Sequence, residues 1–119
     1  MTSDPETLRA GRRWIAVAGR VLSAGRDVPV CFGFTASRRH ARRAVDRNAV
    51  RRVLRESARR HIVELDAAAA GRAVDIVLRL KSAAPGGAAR ARRAWKTELR
   101  AEADALLEQL AWRLRGGGA

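Results

Sequence analysis

SRRHARRAVDRNAVRRVLRESARRH, Ser37 to His61, is the most basic stretch of this 119-residue chain: ten arginines fall between Arg38 and Arg60, against only Asp46 and Glu56. Placed at 100° per residue, its part from about Ala44 onward has two faces. Val50, Val53, Leu54 and Ser57, with Ala49 at the margin, fall on one arc. Arg47, Arg51, Arg55 and Arg59 make an i, i+4 row on the other, joined by Asn48 and Arg52. The apolar arc predicts a helix docked on a sheet and ending near His61 to Leu65. Like charges at i, i+4 cost about 0.2–0.5 kcal/mol per pair, so an ordinary solvated face mixes its signs. This row does not, and it predicts a polyanionic partner.

Upstream of the helix, Val28 to Ser37 reads as a strand whose alternation places Phe32, Phe34 and Ala36 on one face and Gly33, Thr35 and Ser37 on the other. The aromatic face is expected to meet the core. The small, polar face leaves room for a ligand across the sheet, with Arg38 and Arg39 as its rim. Before it, Arg12 to Leu22 suits a half-buried strand, and Ser23 to Asp27 a turn. Trp14 reads as a packing residue, with base stacking as the alternative. Residues 1–11 read as weakly ordered, because Gly11 interrupts any short turn capped at Asp4-Pro5-Glu6.

Downstream, ELDAAAAGRAV is expected to be a connection broken at Gly71, Val74 to Lys81 a strand with β-branched residues at its centre, and Ser82 to Gly87 a loop. From about Ala89 the pattern is helical: Trp95, Leu99, Ala103, Leu106, Leu110 and Leu114 form the seam, with Glu98, Glu102 and Glu108 off it. The tail, residues 115–119, is expected to be disordered. The element order β–β–α–β–α predicts a small single-domain α+β sandwich over residues 12–114, with helices on one side of a sheet.

Length allows one core. The net charge of +13 favours a nucleic-acid partner over a membrane, and no apolar run approaches the roughly 20 residues that span a bilayer. The N-terminus lacks the basic-then-apolar order of a signal peptide, so a cytoplasmic location is expected. Cys31 is the only cysteine, which excludes an internal disulfide and a cysteine-based zinc site; it reads as a small core or sheet residue. The basic side chains are 23 Arg and two Lys, a preference suited to bidentate phosphate contacts.

No catalytic or metal-ligand constellation is apparent. His40 and His61 have no carboxylate or nucleophile at a meaningful spacing, and there is no Walker-type loop or dinucleotide fingerprint. His40 reads as a further RNA-facing donor, and His61 as a residue that packs or caps the end of its helix. The residues describe a binding protein.

The order GFTAS, RR, A, RRAV, DRN, AV, RR, VLRE resembles the protein subunit of bacterial ribonuclease P, in which a strand ending in a Val-Ser-Lys-Lys-like segment precedes an Arg-Asn-Arg-x-Lys-Arg helix. Gly33 to Arg39 match the strand; Arg47, Asn48, Arg51, Arg52, Arg55 and Glu56 match the helix motif. The resemblance covers about residues 28–114. It implies a protein that joins a catalytic RNA and helps it, as an RNA-catalysed endonuclease (a hydrolase), to remove the 5′ leader of precursor tRNA, with Mg2+ held mainly by the RNA. By position, Arg47, Asn48, Arg51, Arg52 and Arg55, with Arg38, Arg39, Arg42 and Arg43 before the helix, would contact the RNA subunit. Gly33, Thr35 and Ser37 would line the leader cleft. The resemblance also implies a left-handed β–α–β crossover, where general rules favour the right-handed one. No obligate protein partner is expected.

Three features depart from the family pattern. Ala49 stands where a second arginine is usual, the loop before Ala44 is longer and lacks a glycine, and the N-terminal amphipathic helix with its Asp-Phe pair is missing. Two other readings remain: a structural RNA-binding or RNA-chaperone protein unconnected with ribonuclease P, and a double-stranded DNA binder. The Arg47-Asn48 pair after a Thr-Ala-Ser-Arg-Arg strand end speaks against the first, and the missing helix-turn-helix spacing against the second.

Overall fold

Two patterns of apolar residues build the molecule: period-two runs that make a sheet and three-to-four spacing that makes two helices. In the computed structural model, which describes residues 7–22, 29–86 and 88–117, the order is β1 (Thr7–Gly11), β2 (Ile15–Val21), β3 (Val30–Thr35), α1 (Ala44–Ala69), β4 (Val74–Leu80) and α2 (Ala89–Leu114). The sheet runs β1-β2-β4-β3. Strands β1 and β2 pair antiparallel, as do β2 and β4, whereas β3 lies parallel to β4. The chain is therefore an α+β domain with a mixed sheet, and α1 is the crossover between its parallel pair.

The register assigns the two faces of the sheet. Ile15, Val17 and Gly19 of β2 align with Leu80, Leu78 and Ile76 of β4, which in turn align with Phe34 and Phe32 of β3. This face is covered by the helices, and Ile15, Ile76 and Leu78 are fully enclosed. On α1, Val50, Val53, Leu54 and Ser57 are buried; on α2, the whole seam from Trp95 to Leu114 is buried. Both helix faces thus follow the spacing expected of them. The other face of the sheet carries Arg9, Ala16, Ala18, Val77, Arg79, Gly33 and Thr35, with no element over it among the described residues.

Several boundaries differ from expectation. Residues 7–11 are not weakly ordered but form β1, whose Leu8 reaches the core; residues 1–6 lie outside the described residues. A strand this short has too few alternations to stand out. It is defined by pairing with β2, through a turn in which the Arg12 N–H donates to the Ile15 carbonyl (2.9 Å). The order is therefore β–β–β–α–β–α, and the strand expected from Arg12 begins at Ile15. The strand expected from Val28 to Ser37 runs only from Val30 to Thr35, and the turn at Ser23 to Asp27 lies outside the described residues.

Helix α1 continues beyond Leu65 to Ala69, because the alanine run favours helix and Leu65, Ala68 and Ala69 are buried. It stops at Ala70 (φ 52) and Gly71 (φ 83), both left-handed. Arg72 then binds the exposed helix ends. Its Nε donates to the Ala69 carbonyl (2.8 Å) and Nη2 to those of Ala68 (3.0 Å) and Leu114 (2.6 Å), so one guanidinium satisfies carbonyls at the ends of both helices. At the tail, Arg115 to Gly117 form a hydrogen-bonded turn rather than a disordered end, with the Gly117 N–H donating to the Trp112 carbonyl. Residues 118–119 lie outside the described residues.

Trp14 is a packing residue. Its ring meets Trp95 edge-on (centroids 6.3 Å apart), and the backbone N–H groups of Trp14 and Ile15 both donate to Glu102 Oε1 (2.8 and 3.2 Å). Its Nε1 donates to Glu98 Oε2 (3.2 Å). Glu98 and Glu102 lie off the apolar seam because they hold the β1–β2 turn against α2.

Candidate nucleic-acid interface

The arginine row on α1 runs along the flank of the helix that borders edge strand β3. Asn48, Arg52, Arg55 and Arg59 are exposed, and Arg51 is half-buried. None of these arginines has a carboxylate partner among the described residues, where the arginine ion pairs are Arg60–Asp104 and Arg92–Asp46. Arg47 is different: its Nη1 donates to the carbonyls of Ala41 (3.1 Å) and Arg42 (2.9 Å), so it pins the preceding loop onto the first turn of the helix. That loop turns at Ser37, whose carbonyl accepts from the N–H groups of His40 and Ala41, and it is anchored by buried Ala41. Arg38, Arg39, Arg42 and Arg43 project from it, all exposed.

Thr35 and Ser37 line a depression of about 270 Å³ with His40, Arg51 and Arg79, where the end of β3 meets α1. Arg79 also borders a wider hollow of about 510 Å³ on the open face of the sheet, with Arg9 on its opposite side and Gly11, Ala16, Ala18 and Val77 as floor. Gly33 belongs to the same face, beside Val77 in the register. The structure therefore brings Thr35 and Ser37 together with Arg51, and Arg79 joins them to the hollow. Arg9 and Arg79 were not among the residues selected from the sequence. The signal for Arg79 was available in the alternation of Asp75, Val77 and Arg79 against Ile76, Leu78 and Leu80; Arg9 had none, since β1 itself was not apparent. The half-buried rings of Phe32 and Phe34 stack on the other side of β3, against α1. They face the core as expected, but an edge strand leaves them partly uncovered.

His61 packs rather than caps, since α1 runs on past it to Ala69. It lies at mid-helix facing α2, with Nε2 at 3.2 Å from Asp104 Oδ1. Ser57 Oγ (2.5 Å) and Arg60 Nη2 (2.8 Å) donate to the same oxygen. Burial pushes the Asp104 carboxyl up, but the hydrogen bonds from Ser57 and Arg60 and the charges of Arg60 and His61 outweigh it and hold the group below its ordinary 3.8. Cys31 lies on the open sheet face rather than in the core. No helix is long and apolar enough to cross a membrane, and no cluster of three or more potential metal ligands occurs among the described residues.

Comparison with known proteins agrees with this geometry. The family model described as Ribonuclease P matches residues 6–111. The RNase P protein of Staphylococcus aureus superposes with a TM-score of 0.60 at 16% identity, over 87% of this chain and 81% of its own. That of Thermotoga maritima superposes with a TM-score of 0.54 at 18% identity, over 96% and 86%. Among curated protein sequences, none matches.

Proposed function

The chain belongs to the ribonuclease P protein family, whose model spans residues 6–111, and from that premise we propose that it binds the catalytic RNA through α1 and the leader of precursor tRNA through the open sheet face. Membership makes it an RNase P protein, acting in tRNA processing with an RNA subunit. The observation that carries the finer reading is the uncompensated row Arg51, Arg52, Arg55 and Arg59 beside a sheet face of small residues bordered by Arg9 and Arg79. Guanidinium groups along a helix bind the phosphates of structured RNA. Arg38, Arg39, Arg42, Arg43 and Asn48 extend that contact, and Arg47 supports it by holding the loop.

Leader binding uses the floor of Gly33, Thr35, Ser37, Ala16 and Ala18. With no aromatic side chain on this face among the described residues, the contact runs through backbone phosphates and is insensitive to base identity. Cleavage belongs to the RNA. The protein's basic side chains are spread over a surface instead of converging on a reacting centre, and a track lined by guanidinium groups repels a divalent cation, so Mg2+ is assigned to the RNA subunit. The assembly would work in the cytoplasm as an endonuclease made by RNA and protein together.

The test is cleavage of a precursor tRNA by the cognate catalytic RNA at low Mg2+, with and without the protein. Added protein is expected to raise cleavage at the mature 5′ end and to do nothing alone. Failure to raise it, with tight salt-dependent RNA binding intact, would leave an RNA-binding protein without leader recognition.

A further inference from the structure

The outer edge of the sheet leaves an apolar pocket beside the middle of α1. β3 ends the order β1-β2-β4-β3, and no strand lies beyond it among the described residues. A space of about 300 Å³ opens there, lined by Phe32, Phe34, Arg55, Ala58, Arg59 and Ile62. Phe32 and Phe34 alternate onto one face of β3, so their rings stand side by side, nearly parallel (7°) with centroids 6.1 Å apart. Opposite them, Ala58 is buried and its methyl group is too short to cover the rings. Phe32, Phe34 and Ile62 therefore stay half-buried.

Charge decides what this pocket can hold. Arg55 and Arg59 are part of its wall, both exposed and neither paired with a carboxylate among the described residues. A purely apolar protein segment would fill the space and leave two guanidiniums uncompensated beside it. A second copy of this chain would bring another +13 against them. A nucleotide meets both demands: its base has flat apolar faces, and its phosphates accept from arginine. Aromatic rings next to guanidinium planes are the surface on which unpaired bases stack.

We propose that this pocket holds an unpaired base of RNA, stacked on the Phe32–Phe34 pair, with Arg55 and Arg59 on the phosphates that flank it. The inference rests on the reading of α1 as an RNA-binding helix and adds to it a contact made by a base. It lies on the helix side of β3, away from the open sheet face, whose contact is to phosphates alone.

Phe32 and Phe34 are the only phenylalanines of the chain, so 13C-labelled phenylalanine reports on this pocket alone. In 1H–13C spectra of the full chain, oligoadenylate is expected to move both ring signals to saturation, through the ring current of the stacked adenine. An abasic ribose-phosphate oligomer of equal length keeps the charge and is expected to leave them in place. Phe34→Leu retains an apolar side chain and removes the ring face. It is expected to weaken binding of the cognate catalytic RNA about tenfold, within the range for one stacked base, at an unchanged salt slope because no phosphate contact is lost. Unchanged affinity in this variant overturns the proposal. So do ring signals that follow the abasic oligomer equally, or that ignore oligoadenylate while the side-chain signals of Arg51 and Arg52 respond; RNA binding by α1 then stands without the base. Ring signals that shift with protein concentration alone make a second copy the occupant and overturn it as well. If neither rings nor arginines respond to RNA, the RNA-binding reading fails and the base pocket with it.

Discussion

Arg47 and Arg51 stand one turn apart on the same row of α1, yet their surroundings separate them. Arg47 directs Nη1 to two loop carbonyls, whereas Arg51 opens into the depression with Thr35, Ser37 and Arg79. Arg51→Ala and Arg52→Ala are each expected to weaken RNA binding by about 1–2 kcal/mol and to lower the salt slope by about one unit. Slopes unchanged in both variants would mean that this face meets only solvent. Arg47→Ala should instead show its main effect in the unbound protein, as a loss of about 1–2 kcal/mol of stability from two carbonyls left without a charged donor. The motif marked Arg47 and Arg51 alike. Only geometry distinguishes a guanidinium that holds the loop from one that is open to a partner, and the same holds for Arg72 and Arg92, which composition counted simply as charge.

At the level of elements, periodicity was legible wherever a face was long. Both helices and strand β4 appear where their apolar spacing puts them, and α1 overran its expected end only where alanine carries no facial contrast. Strand β1 was hidden because its five residues are defined by pairing with β2. The fit between layers was not legible either. A methyl group on Gly19 would lie 2.8 Å from Leu110 Cδ1, so any larger residue there forces the buried Leu110 side chain to shift between α2 and β2. Gly19→Ala is expected to destabilise by about 1–3 kcal/mol in chemical denaturation, and a neutral result would show that Leu110 moves aside freely.

The α1–α2 junction carries its own pH dependence. Asp104 titrates below its ordinary value in the folded state, so its contribution is fully present above the unfolded pKa near 3.8 and is lost as pH falls through the lower folded value. The stability gap between the parent and Asp104→Asn should therefore be widest near neutral pH and close progressively in acid below about pH 4. A gap independent of pH from 7 to 3 would show that the hydrogen bonds hold equally well with the carboxyl protonated.

For the whole molecule, the net charge of +13 sets two salt effects of opposite sign. With most arginines unpaired among the described residues, the folded state concentrates repulsion that the expanded chain relieves. Screening it should stabilise the free protein, so its Tm is expected to rise as sodium chloride increases from about 20 to 200 mM, a range that shortens the screening length to below about 10 Å. RNA reverses the dependence. A bound polyanion supplies the missing counter-charge and stabilises the fold by about 2.7 kcal/mol at a hundredfold excess over Kd, and that gain shrinks as salt displaces it. Melting curves with and without RNA should thus converge from opposite directions as salt rises. A free-protein Tm that falls with salt would mean that internal ion pairs such as Arg92–Asp46 and Arg60–Asp104 outweigh the repulsion, and that the arginine surface is not held in tension for a partner.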